Sequence, residues 1–127
     1  QYSFIFLTFT IMNFRFPKSE KLKSKKTIEL LFAEGRSISK YPIKVFYLPS
    51  NNLKKTQAAF AVPKRNFKSA VDRNRIKRQL REVYRLQKHL LKNDGDIKFS
   101  LFFLYIGNEI LPYSEIETSL KFLINKI

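Results

Sequence analysis

Between residues 73 and 81 the chain reads Arg73-Asn74-Arg75-Ile76-Lys77-Arg78-Gln79-Leu80-Arg81, five cationic side chains in nine positions. Arg presents planar, bidentate donors that match a phosphate, and Lys adds a compact point charge. Asn74 brings an amide that can hydrogen-bond a backbone oxygen or a 2′-hydroxyl. Lys64, Arg65 and Lys68 precede this stretch, and Arg85, Lys88 and Lys92 follow it. From 64 to 92 there are eleven basic residues against Asp72 and Glu82, a net +9. Such a set grips a polyanion. The plain alternative is a solvated face, but like charges along one helix face repel and cost stability unless an anion relieves them.

The residues that would break bonds are missing. His89 is the only His, and there is no Cys. That excludes thiol catalysis, a disulfide framework and a zinc site made by this chain alone. A ribonuclease mechanism that shuttles protons between two imidazoles is excluded with it. Asp94 and Asp96 fall in Asn-Asp-Gly-Asp, which reads as a turn rather than a Mg²⁺ site. With only three scattered Gly, no phosphate-cradling loop exists. No catalytic residue and no metal ligand is assigned, and the expectation is a binding surface.

Thirteen Phe and six Tyr accompany the cations. Most Phe are expected in the core, Phe60, Phe99 and Phe102 among them. Alternation over residues 43–48 puts Ile43, Val45 and Tyr47 on one face and Lys44, Phe46 and Leu48 on the other. An aromatic beside a Lys on a sheet face suits a groove for single-stranded nucleic acid, with core packing the open alternative.

The elements that must position these residues follow from periodicity. Residues 24–35 read as a helix capped by Ser24, with Ile28, Leu31 and Phe32 on one side and Gly35 as a left-handed stop. Strands are expected over 43–48 and 57–62, each followed by Pro, with a weaker strand over 36–40. The long basic helix runs from Ser69 to about Leu91. A Ser69–Asp72 capping box starts it, and Ile76, Leu80, Val83, Tyr84 and Leu90 lie opposite Asn74, Lys77, Arg78, Arg81, Arg85 and Lys88. Residues 99–106 are continuously apolar, the pattern of a strand covered on both faces. A Ser114–Glu117 box opens a last helix. The order helix, two or three strands, helix, strand, helix predicts a single α+β sandwich-like domain.

The 127 residues carry a net charge of +15, with 44% apolar side chains, enough for one core. A second basic cluster, residues 15–26, has six cations against Glu20, while residues 93–127 are slightly acidic. Residues 1–14 form an uncharged N-terminal extension apart from Arg15–Ile127. The only Met, at 12, suggests a native start there, with residues 1–11 read from upstream sequence. That run is too short to span a bilayer. The absence of Cys is compatible with a reducing, cytoplasmic setting.

The segments Ala61-Val62-Pro63-Lys64-Arg65 and Ala70-Val71-x-Arg73-Asn74-Arg75-Ile76-Lys77-Arg78-x-Leu80-Arg81-Glu82 resemble the signature of the bacterial ribonuclease P protein subunit family. Leu22-Lys23, Phe32 to Gly35 and Leu111-x-Tyr113-x-Glu115 extend the likeness over residues 16–127. The resemblance implies a fold similar to the second domain of small-subunit ribosomal protein five, with a left-handed β-α-β crossover, an exception to the usual hand. It implies that the catalyst is a partner RNA using Mg²⁺, held mainly by that RNA and not by the protein alone. That RNA removes the 5′ leader of precursor tRNA. By the same resemblance, Arg73, Asn74, Arg75, Lys77, Arg78 and Arg81 face the ribonuclease P RNA. Lys64 and Arg65 lie near leader and RNA, with Lys68 and Arg85 on the same basic surface. Phe32 and Phe46 line the leader groove together with Ile28, which stands where the family often has an aromatic. The implied partners are ribonuclease P RNA and precursor tRNA, with no membrane and no small-molecule substrate.

Two other readings compete. A purely structural RNA-binding protein of ribosomal type would share the charge and take part in no reaction. A cationic membrane-surface protein is the weaker of the two, because the apolar side of the basic helix is needed for the core.

Overall fold

The computed structural model describes residues 16–50, 53–91 and 97–127. The N-terminal extension, Arg15, Lys92 and the Asn-Asp-Gly-Asp turn lie outside the described residues. A 3₁₀ turn, Lys18–Glu20, leads to α1 (Lys25–Glu34), β1 (Arg36–Lys40), β2 (Ile43–Ser50), β3 (Gln57–Ala61), α2 (Ala70–Gln87), a 3₁₀ turn Lys88–Leu90, β4 (Lys98–Tyr105) and α3 (Tyr113–Lys126). The order is the expected one, with the weakly signalled strand present as β1.

The four strands lie in the order β1-β2-β4-β3. β1 pairs with β2 and β2 with β4 antiparallel, while β3 runs parallel to β4. A parallel pair needs a crossover, and α2 supplies it, giving a β-α-β unit. On one face, Ile38, Val45, Phe103 and Phe60 form a row across the sheet, flanked by Ile43 with Tyr105 and by Tyr47 with Leu101. Ile76, Leu80, Val83 and Tyr84 of α2 and Ile116, Leu120, Leu123 and Ile124 of α3 close over this face as the core. The helical spacing read from the sequence therefore selects the buried residues of both helices, and α+β is the observed class.

The second face differs from expectation. Among the described residues, α1 is the element that lies over it, packed on β2 and β4 with Leu31 fully buried. β4 is thus central but fully covered on one face only. Phe102 is not in the main core. Paired with Phe46 in the register, it belongs to this second face, because alternation sends Phe103 to one side and Phe102 to the other. Phe60 and Phe99 do pack against the core.

Local signals at helix ends are met in part. Ser24 Oγ accepts the Thr27 N–H at 3.3 Å, and Ser69 Oγ accepts the Asp72 N–H at 3.4 Å. Gly35 is not a left-handed stop, since its backbone is extended with φ −70° and ψ 159°. Glycine is required there by space: a Cβ would collide with the Leu31 carbonyl and come within 3.2 Å of the Tyr47 carbonyl. The Ser114–Glu117 box does not start α3. Pro112 is the N-cap, its carbonyl accepting the N–H of Glu115 at 3.0 Å, so Ser114 already lies inside the first turn. The basic helix is α-helical only to Gln87 before tightening into the 3₁₀ turn. Ser119 Oγ donates to the Tyr41 carbonyl at 2.8 Å, tying α3 to the β1–β2 turn. Among the described residues no helix is long and apolar enough to cross a membrane.

Candidate nucleic-acid interface

Burying Ile76, Leu80, Val83 and Tyr84 leaves more than half of the α2 circumference to its polar residues, at 100° per residue. These divide into two flanks. Asn74, Lys77 and Arg81 turn toward the β3 edge and the N-terminal segment. Arg75 and Arg78 turn the other way, beside Gln79, Glu82 and Tyr113 in a groove against α3. Asn74, Arg75, Arg78 and Arg81 are exposed, and Lys77 is half-buried. Lys64, Arg65 and Lys68 are exposed on the segment joining β3 to α2, where the Asn66 and Phe67 N–H groups both donate to the Pro63 carbonyl.

Three of the predicted cations donate to protein groups: Arg73, Arg85 and Arg81, whose Nε donates to the Lys77 carbonyl at 3.4 Å. Arg73 is half-buried, and its Nη1 donates to the carbonyls of Phe67 at 2.7 Å and Lys68 at 3.0 Å. It thereby staples the basic turn to the first turn of α2. Arg85 makes a two-pronged contact with Glu82, at 2.6 and 3.2 Å. That hydrogen bond holds the Glu82 carboxyl below its usual range. Lys88, expected on the polar face, pairs with Glu20 at 2.8 Å. The outward-directed cations of α2 are therefore Arg75, Lys77, Arg78 and Arg81.

The aromatic surface lies on the opposite side of the sheet. Phe32 projects from α1, 52% exposed, with its ring centroid 4.9 Å from Phe46 and 5.0 Å from Phe102, both edge-on. Phe46 and Phe102 are 6.4 Å apart. Lys44 Nζ sits 5.1 Å from the Phe46 centroid, a cation–π distance. The register sets Ser37, Phe46, Phe102 and Ala59 in one row and Ser39, Lys44, Leu104 and Ala61 in the next. Small side chains at the ends of these rows flank the aromatic cluster on this face, where a trough for a single strand would lie. Ile28, one turn before Phe32, is half-buried and adds an aliphatic contact without a ring. Beyond Ala61 the chain leads directly to Lys64 and Arg65, which join the trough to the basic helix. Phe102 was not among the residues the sequence singled out for this groove. Its pairing with Phe46 is a long-range register that no local pattern encodes.

Among the described residues, no three His, Cys, Asp or Glu side chains come together to hold a metal ion. The arrangement can bind phosphates and stack bases.

The family model for ribonuclease P matches residues 16–127, which include every element described above. The chain belongs to the ribonuclease P protein family. Curated relatives include the ribonuclease P protein component of Porphyromonas gingivalis, 32% identical over 113 residues that cover 85% of this chain and 82% of the relative. The component from Borrelia hermsii is 40% identical over 100 residues, covering 79% and 84%. Solved structures share the fold. The ribonuclease P protein of Thermotoga maritima superposes with a TM-score of 0.72 at 21% identity, covering 85% of this chain and 97% of the other. That of Staphylococcus aureus gives 0.71 at 19%, covering 86% and 94%. The mixed α+β sandwich of one four-stranded sheet and three helices is thus the ribonuclease P protein fold.

Proposed function

We propose that this chain, a ribonuclease P protein component, docks on the catalytic ribonuclease P RNA through α2 and holds the single-stranded 5′ leader of precursor tRNA in the trough beneath α1. In this reading the RNA, with Mg²⁺ that it mainly holds itself, hydrolyses one phosphodiester and leaves a 5′-phosphate on the mature tRNA. The protein contributes binding and orientation only.

One observation carries the reading. Outward-facing cations on α2 and an aromatic cluster topped by the exposed Phe32 occupy opposite sides of one sheet, joined by the turn that bears Lys64 and Arg65. A structural RNA-binding protein needs the cations alone. The trough adds a site for unpaired bases, which stack on aromatic rings without regard to sequence. Affinity of the RNA–protein complex for precursor tRNA with a leader, compared with mature tRNA, tests it. The protein should tighten the first selectively, and equal tightening of both would remove the leader from the account.

A further inference from the structure

The second basic cluster spans residues 15–26, and from residue 16 onward the structure gives it a defined place. Residues 16–22 form an arm clamped along the β3 edge. The Phe16 ring meets Phe60 at 5.8 Å and Tyr84 at 5.7 Å, both edge-on. Gln57 Nε2 donates to the Ser19 carbonyl at 3.3 Å, and the Leu22 N–H donates to the Ala58 carbonyl at 2.9 Å. Glu20 pairs with Lys88 at 2.8 Å, their side chains only 12% and 13% exposed. The arm thus extends the sheet edge by one parallel bridge, Lys21 to Ala58, and is pinned to the far end of α2.

Between arm and helix lies a groove of about 400 Å³. Lys21 and Lys23 form one bank, and Asn74, Lys77 and Arg81 form the other, over a floor of β3. Among the described residues, no carboxylate lines it. The arm's one acid, Glu20, is turned away onto Lys88. Four cations from two distant segments converging on a space of ligand size make a phosphate site, and Asn74 offers donors for a sugar or phosphate oxygen.

We propose that this groove grips a backbone segment of the ribonuclease P RNA, and that Glu20 is the positioning residue that assembles it. The proposal rests on the α2 docking reading and extends it to a second strand contact. Its consequence runs against simple electrostatics. Removing a negative charge from a chain of net charge +15 should favour RNA binding. Here Glu20→Gln frees the arm and weakens binding, because the bank formed by Lys21 and Lys23 is in place only part of the time.

The test titrates the full chain against a bacterial ribonuclease P RNA over a range of salt, with thermal melting of each variant alongside. Glu20→Gln should bind about fivefold more weakly, if the arm is docked about one-fifth of the time. The charge-swapped pair Glu20→Lys with Lys88→Glu should recover most of that loss. Lys21→Ala with Lys23→Ala, which leaves Phe16, Glu20 and Lys88 in place and removes the Lys21 ammonium 5.8 Å from the Phe16 ring, should lower the log–log salt slope by about 1.4 to 1.8. Tighter or unchanged binding by Glu20→Gln, or an unchanged slope for the lysine pair, overturns the groove. Arg75→Ala with Arg78→Ala separates the two ideas. If that pair weakens binding while the arm variants do not, only the groove fails, and if neither does, the docking reading fails as well.

Discussion

Phe32 on α1 stands edge-on to Phe102 at the centre of the sheet, ring centroids 5.0 Å apart, while remaining 52% exposed. A ring that is held by packing yet half open to solvent is placed to stack on a base. Phe32→Ala should weaken binding of leader-bearing precursor tRNA by the RNA–protein complex about tenfold, the low end of the ~1–3 kcal/mol attributed to base–aromatic stacking. Binding of mature tRNA should stay unchanged. Equal losses for both RNAs would make Phe32 a packing residue only.

Arg75 and Arg78 share the α3 flank of α2 and are exposed. Replacing both with Ala should reduce the log–log salt dependence of ribonuclease P RNA binding by about 1.4 to 1.8, one phosphate contact each. An unchanged slope would place this flank in solvent.

Arg73 belongs to the same motif but has a different task. Its guanidinium holds the Phe67 and Lys68 carbonyls. Arg73→Ala should lower folding stability by about 1.5–3 kcal/mol in denaturant titrations, in the range of a hydrogen bond to a charged group. Arg75→Ala should leave stability within about 0.5 kcal/mol of the parent. Matching stabilities for the two variants would show that the staple contributes nothing.

Tyr84 sits at 1% exposure inside the core, and burial, aided by the negative charge of Glu20, pushes its phenol well above the ordinary value of 10.0. Burial likewise raises Tyr105 and Tyr113. The folded chain therefore keeps protons that the unfolded chain releases. For Tyr84 this contribution is fully present below about pH 10 and fades as pH rises beyond it, by about 1.4 kcal/mol per pH unit. Tyr84→Phe should flatten the loss of stability above pH 10 by about one such increment. An identical alkaline profile would mean that Tyr84 is not kept neutral by the fold.

Periodicity reveals what is local. Ile76, Leu80, Val83 and Tyr84 announce the buried stripe of α2, and alternation over residues 43–48 sorts Val45 from Phe46 correctly, because both patterns depend only on neighbours along the chain. Phe102 reads as core in a continuous apolar run, since nothing in that run tells the two sides of the sheet apart. Gly35 invites a left-handed reading, yet the close approach of the Leu31 carbonyl decides the residue. Pro112 captures the start of α3 because its carbonyl reaches the first-turn N–H groups ahead of the Ser114 hydroxyl. The Glu20–Lys88 pair and the arm groove join residues distant in sequence and leave no mark on either local pattern. The long basic motif is legible in the sequence for the opposite reason, since all its cations lie on consecutive turns of one helix.

The central claim is that this chain assists a catalytic RNA in cleaving precursor tRNA. The direct measurement combines the protein with a bacterial ribonuclease P RNA at low Mg²⁺ and follows release of the 5′ leader. The account predicts strong stimulation by the protein, reduced by Arg75→Ala with Arg78→Ala. Cleavage that proceeds at the same rate with and without the protein would contradict it.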